Sequence, residues 1–75
     1  MSRAEKLREY RQLVEDRAIA EREYARLCER RQELLTRKVR NEERRTRFLL
    51  RLDRDIVDAH DRLASLNLAL EGFEL

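Results

Sequence analysis

The clearest pattern in the chain lies between residues 49 and 73, which read LLRLDRDIVDAHDRLASLNLALEGF. Apolar side chains recur there at alternating steps of three and four residues, the a and d positions of a heptad repeat. These positions hold Leu49, Leu52, Ile56, Ala59, Leu63, Leu66, Leu70 and Phe73. Polar side chains flank them, among them Arg51, Asp53, Arg54, Asp55, Asp58 and Asp61. This narrow apolar stripe predicts an α-helix that packs lengthwise against another helix.

The same register extends back without a break to Leu7, which occupies position a. The N-terminal segment is less regular, because Glu21 falls at a while Arg17 and Arg31 fall at d. Apolar side chains appear one position earlier instead, at the g positions Leu13, Ala20, Leu27 and Leu34. A wider stripe of this kind favours a helix that touches more than one neighbour.

Two sets of residues are the candidate helix-packing interface. The first is Leu7, Tyr10, Val14, Tyr24, Leu27, Leu34 and Leu35, and the second is Leu49, Leu52, Ile56, Leu63, Leu66, Leu70 and Phe73. Tyr10 and Tyr24 are interpreted as residues whose rings pack between the helices while their hydroxyls reach the solvent-exposed edge of that contact.

Residues 40–47, RNEERRTR, separate the two segments and contain no apolar side chain. One possibility is a continuous helix that runs through this joint, held by pairs such as Lys38–Glu42 and then assembled into an oligomer. The other is a turn at Asn41, a residue type favoured at helix ends and starts. A turn also suits the charges, since cations up to Arg40 would lie at a helix C-terminus and Glu42 and Glu43 at a helix N-terminus.

An antiparallel fold-back at Asn41 brings most apolar residues opposite one another. It sets Leu49 near Leu34, Ile56 near Leu27, Ala59 near Tyr24, Leu63 near Ala20, Leu70 near Leu13 and Phe73 near Tyr10. We therefore predict an all-α coiled coil and favour an antiparallel two-helix hairpin over one long helix. The single domain, 1–75, would have a first helix over about 3–40, a turn or charged joint over about 40–46, and a second helix over about 42–72.

Composition favours association over chemistry. A chain of 75 residues buries too little surface to be robust alone, and one Cys and one His allow neither an internal disulfide nor a zinc cluster. We find no nucleophile–base pair, metal cluster or phosphate loop, and we expect no enzymatic activity, cofactor or small-molecule substrate. The lone thiol of Cys28 fits a soluble cytoplasmic protein, and we expect neither a signal peptide nor a membrane span.

The sequence thus predicts a non-enzymatic interaction subunit, an adaptor, scaffold or assembly chaperone, that packs on a helical protein partner or on itself. The alternative uses residues 36–52, where seven basic and two acidic residues give a net charge of +5. In that alternative a nucleic acid or another anionic surface binds the basic side chains. They are Arg37, Lys38, Arg40, Arg44, Arg45, Arg47 and Arg51.

Overall fold

The computed structural model describes residues 2–38 and 40–74. They contain two helices, α1 (Arg3–Thr36) and α2 (Glu42–Glu71). They pack side by side as an antiparallel hairpin about 59 Å long and 14 Å across. This confirms the predicted all-α hairpin and excludes the continuous helix. Val39, within the predicted first helix, lies outside the described residues.

The first helix begins at a Ser cap and ends earlier than the sequence predicts. The Oγ atom of Ser2 accepts a hydrogen bond from the amide of Glu5 at 3.2 Å, which satisfies one of the free N–H groups at the helix start. At the other end Arg37 adopts an extended backbone, so α1 stops at Thr36 rather than near residue 40. Leu34 is the last apolar residue of α1 turned toward α2, so further turns would gain little from packing.

The early end of α1 changes where the cations of the joint lie. The last turn of α1 contains no basic residue, whereas Arg37 is its C-terminal cap and Lys38 and Arg40 belong to the connection. Arg37 therefore lies at the helix C-terminus as expected, whereas Lys38 and Arg40 lie beyond it. The hydroxyl of Thr36 instead hydrogen-bonds the carbonyl oxygens of Gln32 and Glu33, at 3.2 and 3.1 Å.

The second helix begins at Asn41, whose Oδ1 atom accepts a hydrogen bond from the amide of Arg44 at 3.1 Å. Asn41 itself has an extended backbone, so the chain changes direction immediately before α2. Glu42 and Glu43 occupy the first turn, where the positive end of the helix dipole favours carboxylates. Asn41 thus acts as a helix start.

Four contacts between the helices fix their register. The rings of Tyr10 and Phe73 lie 5.6 Å apart, and those of Tyr24 and His60 lie 6.0 Å apart. Two ion pairs, Arg31–Asp53 at 2.6 Å and Arg62–Glu23 at 3.1 Å, also join α1 to α2. Each pair joins residues about equally far from the turn, and Tyr10 opposite Phe73 is the register expected from the sequence.

The core of the hairpin is thin. Among the described residues only Ala20, Leu52 and Ala59 are buried. In the register set by the contacts, Ala20 lies level with Leu63 and Ala59 with Tyr24, so each small side chain faces a large one. Two helices that bury so little have marginal stability by themselves.

We expect Asn41→Ala to lower the free energy of unfolding by about 1 kcal/mol, because the amide of Arg44 loses its acceptor at the start of α2. Urea denaturation followed by circular dichroism, at one fixed protein concentration, measures the loss. Ser65→Ala is the matched control, since Ser65 is exposed inside α2 and Ala favours helix. An equal loss in both variants would contradict the capping role of Asn41.

Candidate helix-packing surfaces

The surface of α1 that faces α2 is formed by its d and g positions, whereas α2 uses a and d. On α1 the residues least exposed along this line are Tyr10, Leu13, Arg17, Ala20, Tyr24, Leu27, Arg31 and Leu34. On α2 they are Leu49, Leu52, Ile56, Ala59, Leu63, Leu66, Leu70 and Phe73. We call these two rows together the seam. The seven predicted residues of α2 all lie in it.

The charged residues of α1 explain why its d and g positions, and not its a and d positions, face α2. A seam built on a and d would place Glu21 in its middle and would expose the apolar g residues Ala20 and Leu27. Burying the unpaired carboxylate of Glu21 would be costly, whereas an Arg at d, a position that both seams share, can bury its stem while its guanidinium reaches the rim. Arg31 does this, because its side chain is 41% exposed and its Nε donates to Asp53.

Some predicted interface residues lie outside the seam as a result. Leu7 and Leu35, both at a, are 38% and 44% exposed. Val14 and Cys28 lie on the same flank and are half-buried. Sequence reasoning left Leu13, Ala20 and Ala59 out of the candidate interface, although two of them are the most buried residues. The signal for Leu13 and Ala20 was the spacing of three and four residues between the g and d positions, and Ala59 already occupied a d position of the α2 repeat.

Two ion pairs border the seam on opposite edges, Arg31–Asp53 on one and Glu23–Arg62 on the other. Their side chains are substantially exposed, and pairs of this kind contribute at most about 1 kcal/mol. Their effect on register is greater, since a slip of either helix by one residue would move charged groups into the apolar rows. The two pairs therefore specify the alignment more than they stabilise it.

A cluster at mid-length combines an aromatic ring, an imidazole and the only thiol. The rings of Tyr24 and His60 are in tilted contact, and Cys28 lies one turn along α1 from Tyr24. Hydrogen bonding with Cys28 raises the pKa of the Tyr24 hydroxyl above its ordinary value of 10.0, the charge of that thiol adds to the effect, and burial contributes least. His60 occupies an e position beside the seam and its side chain is mostly exposed.

A second apolar surface lies on the far side of α2. Leu50, Val57 and Leu68 are 66%, 58% and 68% exposed, although each is a large aliphatic residue. Together with exposed Ala64 they are spaced by seven, seven and four residues, which places them on one line of the helix. We call these four residues the outer stripe. The heptad pattern could have revealed it, because three of its members occupy successive b positions.

The hairpin gathers the candidate anion-binding residues at the end that contains the turn, the hairpin tip. Two of them have carboxylate partners within α2, Arg45 with Glu42 at 2.7 Å and Arg47 with Glu43 at 3.3 Å. The guanidinium of Arg51 lies 5.9 Å from the ring centre of Phe48. The remaining four, Arg37, Lys38, Arg40 and Arg44, are exposed.

Comparisons with protein-family models, with curated proteins and with solved structures returned no match. Within residues 2–38 and 40–74, no group of three or more Cys, His, Asp or Glu side chains could hold a metal ion. In the same part of the chain, neither helix has a segment both long and apolar enough to span a membrane.

In a Tyr10→Phe background, where Tyr24 is the remaining tyrosine, we expect Cys28→Ala to lower the pKa of Tyr24 toward its ordinary value. Titration of the phenolate absorbance measures it. Cys28→Ser should give an intermediate pKa, since a hydroxyl keeps a hydrogen bond but does not ionise. A pKa that is the same in all three proteins would contradict this link.

The sign of the stability change follows from the same shift. Because the folded state holds the proton of Tyr24 more tightly than the unfolded state, the raised pKa adds to the free energy of unfolding. That added stability is fully present below pH 10.0 and is lost as the pH rises through the pKa of Tyr24 in the folded state.

Proposed function

We propose that this protein is a non-enzymatic interaction subunit that binds another helical polypeptide through the outer stripe of α2. The observation that carries the proposal is the exposure of Leu50, Val57 and Leu68 on one line, directed away from α1. Large apolar side chains that stay exposed together on one helix face favour an interaction site. Complete burial of one such side chain is worth about 1.5–3 kcal/mol, and each of these is still more than half exposed.

The shape of that surface favours a helix as the partner. The outer stripe is straight, and at 1.5 Å per residue its 18-residue span is about 27 Å long. Its apolar positions recur at helical spacing, which matches the ridges of another helix packed alongside. An adaptor, scaffold or assembly chaperone presents such a face.

The thin core supports a binding role over a catalytic one. No described side chain is fully buried, and a catalytic site needs groups held in a water-excluding environment. A hairpin with three buried residues gains stability when a partner covers its apolar flanks. The free thiol of Cys28 is in keeping with a reducing compartment such as the cytoplasm.

A photoreactive amino acid in place of Val57, introduced in cells that make the protein, tests the proposal. We expect it to cross-link to a helical polypeptide, which mass spectrometry of the product identifies. The matched control replaces Glu29, which is exposed on the side of α1 opposite the seam. Equal cross-linking at both positions, or none at residue 57, would argue against the outer stripe as a binding surface.

A second candidate function, binding of a nucleic acid or another anionic surface, is favoured by the hairpin tip. The fold-back places Arg37, Lys38, Arg40 and Arg44 at one end, and none of the ion pairs within residues 2–38 and 40–74 involves them. Four exposed cations so close together attract phosphate groups.

Changing Arg37, Arg40 and Arg44 together to Gln tests this alternative. If the tip binds nucleic acid, we expect wild-type affinity for an oligonucleotide to fall steeply between low and physiological salt, and the triple variant to lose most of that dependence. Fluorescence anisotropy measures both. The control changes Arg22, Arg26 and Arg30 on α1 to Gln, and an equal loss there would rule out a site at the tip.

A further inference from the structure

We propose that the outer stripe of α2 binds the outer stripe of a second copy of this chain, with the two α2 helices antiparallel. This inference rests on the proposed function, because it names the partner of the same surface. Two hairpins joined in this way form a four-helix assembly with α2 of each copy inside and α1 of each copy outside. Its twofold symmetry makes every contact occur twice.

The charge distribution along α2 is the first argument for a second copy. Residues 42–54 contain five basic and three acidic residues, a net charge of +2, and residues 55–71 contain one basic and four acidic residues, a net charge of −3. In an antiparallel pair the positive half of each α2 lies against the negative half of the other. In a parallel pair like charges would lie side by side, so the charges select both the partner and its direction.

The second argument is the arrangement of charges within the outer stripe. Arg54 follows Leu50 by four residues and Asp61 follows Val57 by four, so both lie on the line of the stripe. An antiparallel alignment that sets Leu50 level with Leu68 of the second copy leaves Arg54 one helical turn from Asp61 of that copy. The long Arg side chain spans that distance, and symmetry creates the pair twice.

The resulting interface has apolar contacts at both ends and reciprocal ion pairs at its centre. Leu50 meets the Leu68 of the second copy at each end, while Val57 lies level with Asp61 of that copy and Ala64 lies level with its Arg54. In a parallel alignment Arg54 would meet Arg54 and Asp61 would meet Asp61, which is unfavourable. The stripe is therefore complementary to itself in one direction.

Sedimentation equilibrium of the intact chain tests the assembly. We expect a reversible dimer in the wild type, and at least tenfold weaker dimerisation in Leu50→Lys and in Leu68→Lys. Ile19→Lys is the matched control, because Ile19 is 54% exposed on α1 and lies outside both the seam and the outer stripe. Circular dichroism shows that the compared variants keep their helix content.

A wild type that stays monomeric at high concentration would overturn the proposal, as would an equal effect of Ile19→Lys. A monomer that nevertheless cross-links through residue 57 to a different protein would overturn this inference and leave the proposed function in place. A monomer that cross-links to nothing would overturn both.

Charge exchange tests the direction of the pair. Arg54→Asp or Asp61→Arg alone should weaken dimerisation about tenfold, since each places like charges together at both symmetric sites. The double variant R54D/D61R should restore it, because the pairs form again with their charges exchanged. A double variant weaker than either single one would overturn the antiparallel arrangement.

Cysteine cross-linking gives an independent measure of direction. In a Cys28→Ser background, a mixture of Leu50→Cys and Leu68→Cys chains should form mixed disulfides far faster than either chain forms disulfides with itself. Faster formation of the symmetric Leu50→Cys disulfide would overturn the proposal in favour of a parallel pair.

Discussion

A helix in a two-helix hairpin can bury only one narrow strip of its surface, and α1 has two apolar strips that overlap. One contains the a and d positions and includes Glu21, while the other contains the d and g positions and includes Ala20 and Leu27. The structure buries the second, because the first would bury the carboxylate of Glu21, whereas the Arg residues at d are common to both strips and reach the rim. The placement of Arg31 against Asp53 and the exposure of Leu7 follow from this choice.

The same limit leaves apolar surface uncovered elsewhere. The a positions of α1, among them Leu7 and Leu35, lie beside the seam, and the outer stripe lies on the far side of α2. A hairpin with so few buried residues has little stability in reserve, so a partner that covered these surfaces would also raise its free energy of unfolding.

Reversal of the chain at Asn41 also changes the meaning of the charge pattern. In an extended chain the basic residues 36–52 would separate two segments of lower charge. In the hairpin they form one end of the molecule, while α2 retains a positive and a negative half. The first arrangement is the basis of the proposed anion binding at the hairpin tip, and the second is the basis of the proposed antiparallel pairing with a second copy of α2.

The sequence by itself determined the helical class and the two segments, and it favoured the turn at Asn41 together with pairs such as Tyr10 with Phe73. These depend on local periodicity and on capping, which neighbouring residues specify. It also named seven of the eight residues of the α2 seam, because Leu49 to Phe73 offers one clean a and d row, and it left out only Ala59.

Only the tertiary structure decided which strip of α1 is buried, where α1 ends and which apolar residues remain outside. A single heptad register fits both strips of α1, and the choice depends on what lies opposite, namely the stripe of α2 and the carboxylate of Asp53. The end at Thr36 depends on where packing stops after Leu34. The outer stripe became recognisable once α1 was seen to occupy the other side of α2, because exposure is a property of the packed helices and not of the pattern alone.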